Sequence, residues 1–117
     1  MSFEESMNEL LESCPGARGA AIVDPDGIPV VVSPGDGSLE VLAAEVATIL
    51  QDLDEAAREL QHGPLEQCSV FAEDATIVLT TIAAGYFLVL VIGREGLVGK
   101  GRFLSRLASA RLYSEFI

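Results

Sequence analysis

Apolar side chains recur at helical spacing near the start of the chain: Phe3, Met7, Leu10 and Leu11 alternate with Glu4, Glu5, Glu9 and Glu12. The pattern predicts a short amphipathic helix over residues 2–13, ended by Pro15 and Gly16. The period then drops to that of strands. GAAIV (19–23) and IPVVV (28–32) flank Asp24-Pro25-Asp26-Gly27. Proline suits the second position of a turn and glycine the left-handed one, so a hairpin is expected. Pro29 has no N–H to give a neighbour, which places the second strand at a sheet edge.

A longer helical pattern occupies 39–62, with Ser38 as N-cap and Gly63-Pro64 as stop signal. Leu39, Leu42, Val46, Ile49, Leu53, Ala57 and Leu60 form one stripe, the expected core face. The opposite face holds Val41, Ala44, Thr48, Gln51, Asp52, Glu55, Glu59 and His62. Ala43, Ala47, Leu50 and Ala57 form a flank between the two, small enough to admit a second helix. Three strands are expected next, at 66–73, 75–83 and 86–93, with turns at Glu73-Asp74 and Ala84-Gly85. YFLVLVI is apolar on both faces and should be the central strand. A basic helix from about residue 100 should bury Phe103, Leu104, Leu107 and Leu112 or their neighbours. The order α-β-β-α-β-β-β-α predicts an α+β fold, a three-layer α-β-α sandwich. Its five-stranded antiparallel sheet has the long helix on one face and the two terminal helices on the other.

Composition changes this picture little but narrows function. At 117 residues, half of them apolar, the chain should form a single domain over 1–117 with a real core. A net charge of −11 argues against nucleic acid. Residues 1–74 carry 16 acids against Arg18 and Arg58, whereas residues 75–117 carry two acids against five bases. Such asymmetry can orient a partner. Cys14 and Cys68 are too few for a zinc site or a redox pair. The acidic N-terminus does not read as a secretory signal, and the apolar run 82–92 is too short for a bilayer span of about 20 residues. A cytoplasmic protein with reduced thiols and no membrane insertion is expected.

GREGLVGKG (93–101) looks like a phosphate-gripping loop and fails in detail. A P-loop places four residues between its first glycine and the Gly-Lys pair, then Ser or Thr. Here five residues separate Gly93 from Gly99, and Gly101 stands where the hydroxyl belongs. His62, the only histidine, reads as a helix-end residue favoured by the dipole. Asp24 and Asp26 read as turn chemistry, because D-P-D-G lacks a calcium ligand set. No cofactor, metal or catalytic residue is expected.

PGARGAAIVDPDG, then LAAEVATIL, TIVLTTIAAGYFLVLV and GLVGKGRFLSRL, in that order and spacing, resemble the Roadblock family. Within it the chain is similar to the prokaryotic MglB-like regulators of Ras-like GTPases. The likeness spans roughly residues 5–115, and Pro15-Gly16, Asp26-Gly27 and Gly99 match best. It implies a profilin-like sheet that pairs through its third strand and long helix into a two-fold dimer with ten continuous strands. It also implies that the paired long helices receive a small Ras-like GTPase. MglB-like activators are thought to reshape the GTPase's own active site, so the absence of an obvious arginine finger does not exclude activation. The chain's own pattern agrees with pairing. The half-polar third strand reads as an exposed edge that must be covered, and the alanine flank offers a neighbouring helix contact. The expected dimer interface is therefore Ala43, Ala47 and Leu50 with Gln67, Cys68, Ser69, Val70 and Phe71. The expected GTPase surface is Thr48, Gln51, Asp52, Glu55 and Glu59. The reading of another class is a non-catalytic dimeric scaffold, which would bind without altering hydrolysis.

Overall fold

In a computed structural model, which describes residues 2–35 and 37–117, the elements follow the expected order. They are α1 (Phe3–Ser13), β1 (Ala17–Val23), β2 (Pro29–Ser33), α2 (Ser38–Glu59), β3 (Gln67–Phe71), β4 (Ala75–Ala83), β5 (Tyr86–Gly93) and α3 (Val98–Leu112). A 3-10 turn over Tyr113–Glu115 follows. The five strands form one antiparallel sheet in the order β2-β1-β5-β4-β3. The fully apolar β5 is central, and Pro29 lies on an edge strand. Local chemistry sets the hairpins. The Asp24 carboxylate accepts from the N–H groups of Asp26 and Ile28, both at 2.9 Å, which folds the β1–β2 turn around Gly27. Ala84 and Gly85 both take positive φ, 54° and 85°, the left-handed pair that a two-residue hairpin requires.

Two cores lie on opposite faces of the sheet. Met7, Leu10, Cys14, Ile22, Val78, Leu88, Leu90, Ile92 and Leu112 join α1 and α3 to one face. Ala21, Val23, Leu39, Ala43, Val46, Ala47, Leu50, Leu79, Phe87 and Val89 join α2 to the other. Burial pushes the Cys14 thiol above its ordinary pKa, partly offset by Lys100.

Several details differ from the sequence pattern; the N-cap of α2 is Gly37 in a left-handed conformation, with Ser38 already inside the helix, and three further differences concern the helices. First, α2 ends at Glu59 rather than near residue 62. Gln61 takes φ 63°, its N–H bonds to Arg58 and that of His62 to Ala57, so a left-handed cap closes the helix before Gly63. Second, α2 is rotated relative to the expected stripe. Ala43, Ala47 and Leu50 are buried against the chain's own sheet, so they are core and not a dimer-facing flank. The β1–β2 turn abuts the helix here: a Cβ on Gly27 would sit 3.1 Å from the Ala47 Cβ and 3.2 Å from the Ala44 Cα. Only small side chains allow that approach. Ile49 and Leu53, expected inside, are 54% and 40% exposed. Third, α3 turns its small residues inward. Gly101, Ser105, Ser109 and Leu112 are buried, while Phe103 and Leu107 are exposed. A Cβ on Gly101 would come within 2.4 Å of the Ile92 Cδ1, so the helix rests on the sheet at a distance that larger residues would forbid.

Candidate functional site

At about 100° per residue, Leu42, Ile49 and Leu53 fall on a flank of α2 roughly a quarter turn from its buried stripe. Leu42 is half-buried, and Ile49 and Leu53 are open. An amphipathic helix on a sheet has no need of such a second apolar stripe. The sheet beneath is also incompletely covered. The register pairs Cys68 with Leu79 and Val70 with Ile77, which puts Cys68, Val70 and Ile77 on the α2 side. Cys68, Ile77 and Val91 are only half-buried there, and Val70 is 42% exposed. β3 pairs with β4 alone, so its outer edge is open among the described residues. Apolar flank, partly bare sheet and unpaired strand occur together, a combination suited to an interaction surface.

The expected interface residues of β3 divide between the two faces. Cys68 and Val70 belong to the α2 side, whereas Gln67, Ser69 and Phe71 pair with Thr80, Val78 and Thr76 on the α3 side. Gln67 is held there, its amide donating to the Thr80 hydroxyl and to the Arg102 carbonyl, both at 3.0 Å. The missed interface candidates are Leu42, Ile49 and Leu53. Their signal was visible as a second apolar phase on α2, but in sequence that phase was indistinguishable from the core stripe.

Thr48, Gln51, Asp52, Glu55 and Glu59 are all exposed on α2. Gln51 leans toward the β1–β2 turn and donates to the Pro25 carbonyl at 2.7 Å. The other four lie on the outward crest. Asp54 differs from them, because its Oδ1 accepts from the Leu65 N–H at 2.8 Å and its Oδ2 from Arg58 Nε at 2.9 Å. The Leu65 bond chiefly holds the Asp54 carboxyl below its ordinary pKa; partial burial opposes this, and Arg58 adds to it. Asp54 thus ties the end of α2 to the entry of β3.

Of the glycines of 93–101, Gly93, Gly96 and Gly101 sit in close contacts, whereas Gly99 is exposed with open space around it. Gly93 N–H donates to the Gly16 carbonyl at 2.8 Å and Leu97 N–H to the Pro15 carbonyl at 3.2 Å. A Cβ on Gly16 would lie 2.3 Å from the Gly96 Cα, so two turns are pressed backbone to backbone. Two of the loop's N–H groups are thereby committed to carbonyls rather than presented to a phosphate. His62 is exposed within the cap of α2, and no group of three or more His, Cys, Asp or Glu among the described residues could hold a metal. No described helix is long and apolar enough to cross a membrane.

Comparison with known proteins agrees with this geometry. The Roadblock/LC7 domain model matches residues 4–99. A Roadblock/LC7 domain structure from Streptomyces avermitilis aligns with a TM-score of 0.87 at 17% identity, over 98% of each chain. The gliding protein MglB of Thermus thermophilus aligns at 0.82 and 23% identity, covering 94% of this chain and 84% of that one. MglC of Myxococcus xanthus aligns at 0.70 with 30% identity, over 99% of this chain and 100% of that one. No curated protein matches in sequence. Sheet order, helix placement and the family match over most of the chain lead to one conclusion: the chain belongs to the Roadblock/LC7 family.

Proposed function

We propose that this chain is a homodimeric regulator that binds a small Ras-like GTPase on its paired α2 helices. The observation that carries the reading is the exposed flank of Ile49 and Leu53 on the same face of the sheet as Cys68 and Val70 of the open-edged β3. Two-fold pairing through β3 and this flank would cover the edge and the apolar side chains at once. It would also set the crests of two α2 helices side by side and double Thr48, Asp52, Glu55 and Glu59 into one acidic platform. The family, and the likeness to MglB and MglC, support a GTPase-linked role.

An acidic platform recruits a basic surface chiefly by raising the association rate. With a Debye length of about 8 Å at physiological salt, that gain fades as salt rises. Each Ras-like GTPase of the source genome, loaded with GTP, is titrated against the wild type and against Asp52→Lys/Glu55→Lys by stopped flow. The double reversal is expected to slow association and flatten its salt dependence while the dimer and its melting persist. Unchanged association at low salt would remove the acidic crest from the interface. Phosphate release read in parallel separates an activator, which raises GTP hydrolysis, from a scaffold, which leaves it unchanged.

A further inference from the structure

On the α1/α3 side the sheet carries one helix for every two strands: α1 lies on β1 and β2, and α3 on β4 and β5. β3 has no helix of its own on this side, and Phe71, which points there, is 70% exposed. One flank of α3 already holds an acidic amphipathic helix. That helix is α1, with Leu10 facing Leu104 and Ala108 along the seam and Glu9 placed 3.8 Å from Arg111. The opposite flank repeats this chemistry without an occupant. A shallow groove there is lined by Gln67, Arg102, Phe103, Arg106, Leu107 and Ala110, with Phe103 64% exposed. α3 contains no acidic residue. Arg106 reaches Glu66 at 3.6 Å, but both side chains are largely exposed and the pair is weak. Arg102 has no acidic partner among the described residues.

We propose that this flank is a docking slot for one acidic amphipathic helix of a partner protein, shared between the two chains of the dimer. The slot rests on the homodimer reading above. Strands lie about 4.8 Å apart, so α3, over β4 and β5, sits about 10 Å from the axis relating β3 to its mate. The two α3 helices then stand about 20 Å apart, and helices pack at about 8–10 Å. One helix fits between them, with Phe71 of both chains in its floor. Charge selects the occupant, since Arg102 and Arg106 from each chain line the walls as Arg111 faces α1. A lipid surface suits the site less, because the chain's net charge is −11. The slot lies across the sheet from α2, so a partner helix and a GTPase can bind together.

The test uses a fluorescent stapled peptide of about 15 residues, the length of α3, with leucines at helical spacing and glutamate elsewhere. A version with lysine for glutamate and phosphatidylserine vesicles form separate arms, and the protein alone is sedimented. The glutamate peptide is expected to saturate at one per two chains. Phe103→Glu, and separately Arg102→Glu/Arg106→Glu, should weaken it at least tenfold while sedimentation and melting stay unchanged. Equal binding of the lysine peptide, indifference to Phe103→Glu, or one peptide per chain would each overturn the shared acidic-helix slot. So would vesicle binding without peptide binding. A dimer that takes up no peptide refutes the slot alone, whereas a monomeric wild type refutes the dimer reading and the shared slot with it.

Discussion

Leu50 and Ile49 are neighbours in sequence with opposite surroundings, and replacing each by alanine separates fold from interface. Leu50 is buried in the α2 core. Truncating such a leucine removes its transfer energy and leaves a cavity, together about 2–5 kcal/mol. Against a total stability of about 5–15 kcal/mol, that is a large loss and should lower the melting temperature by many degrees. Ile49 is 54% exposed, so in the isolated chain its truncation forfeits little. Its remaining contribution appears on pairing. Full burial of an isoleucine side chain is worth about 1.5–3 kcal/mol, so covering the open half gives about 1 kcal/mol. Two-fold symmetry doubles this to about 2 kcal/mol per dimer, a rise in dissociation constant of roughly thirtyfold for Ile49→Ala. Sedimentation across a concentration series reads the dimer, and urea melts extrapolated to low protein concentration read the fold, because dimerisation itself raises apparent stability. If Leu50→Ala dissociates the dimer while melting like wild type, or Ile49→Ala unfolds the isolated chain, the rotation of α2 described above is wrong.

Asp54→Asn should cost about 1 kcal/mol at neutral pH, through loss of the charged bond to the Leu65 N–H. The folded pKa lies below the ordinary 3.8, so this stabilisation is present above that value and disappears as pH falls through the folded pKa. Wild type and variant melts should therefore converge in acid, and a constant gap down to low pH would refute the charge assignment. Gly96→Ala would drive a Cβ to 2.2 Å from the Ile92 Cγ2 and 2.9 Å from the Pro15 carbonyl oxygen. Overpacking of this kind costs about 1–3 kcal/mol in a melt. Lys100→Ala should leave both melting and the absence of saturable labelled-GTP binding unchanged; micromolar GTP binding that Lys100→Ala abolishes would restore the loop as a nucleotide site.

Much of the molecule was determined by sequence alone. Element order, the β1–β2 and β4–β5 turns, the central place of β5 and the edge position of Pro29 follow from local rules of backbone conformation and from whether a strand is apolar on one face or two. Those rules act within a few residues, so a single chain displays them. The departure of 93–101 from the phosphate-loop pattern was equally legible, because the misplaced glycine and missing hydroxyl are matters of spacing. The phase of α2 and α3 was decided only by tertiary structure. Both helices carry two apolar phases, and sequence weighs large side chains over small ones. Close packing on a twisted sheet selects the small ones: Ala43 and Ala47 beside Gly27, and Gly101 beside Leu90 and Ile92, with Ser105 and Ser109 buried further along α3. The larger Ile49, Leu53, Phe103 and Leu107 are thereby displaced outward. What a helix buries is set by how near its neighbour can come, and that distance is written in residues far away along the chain.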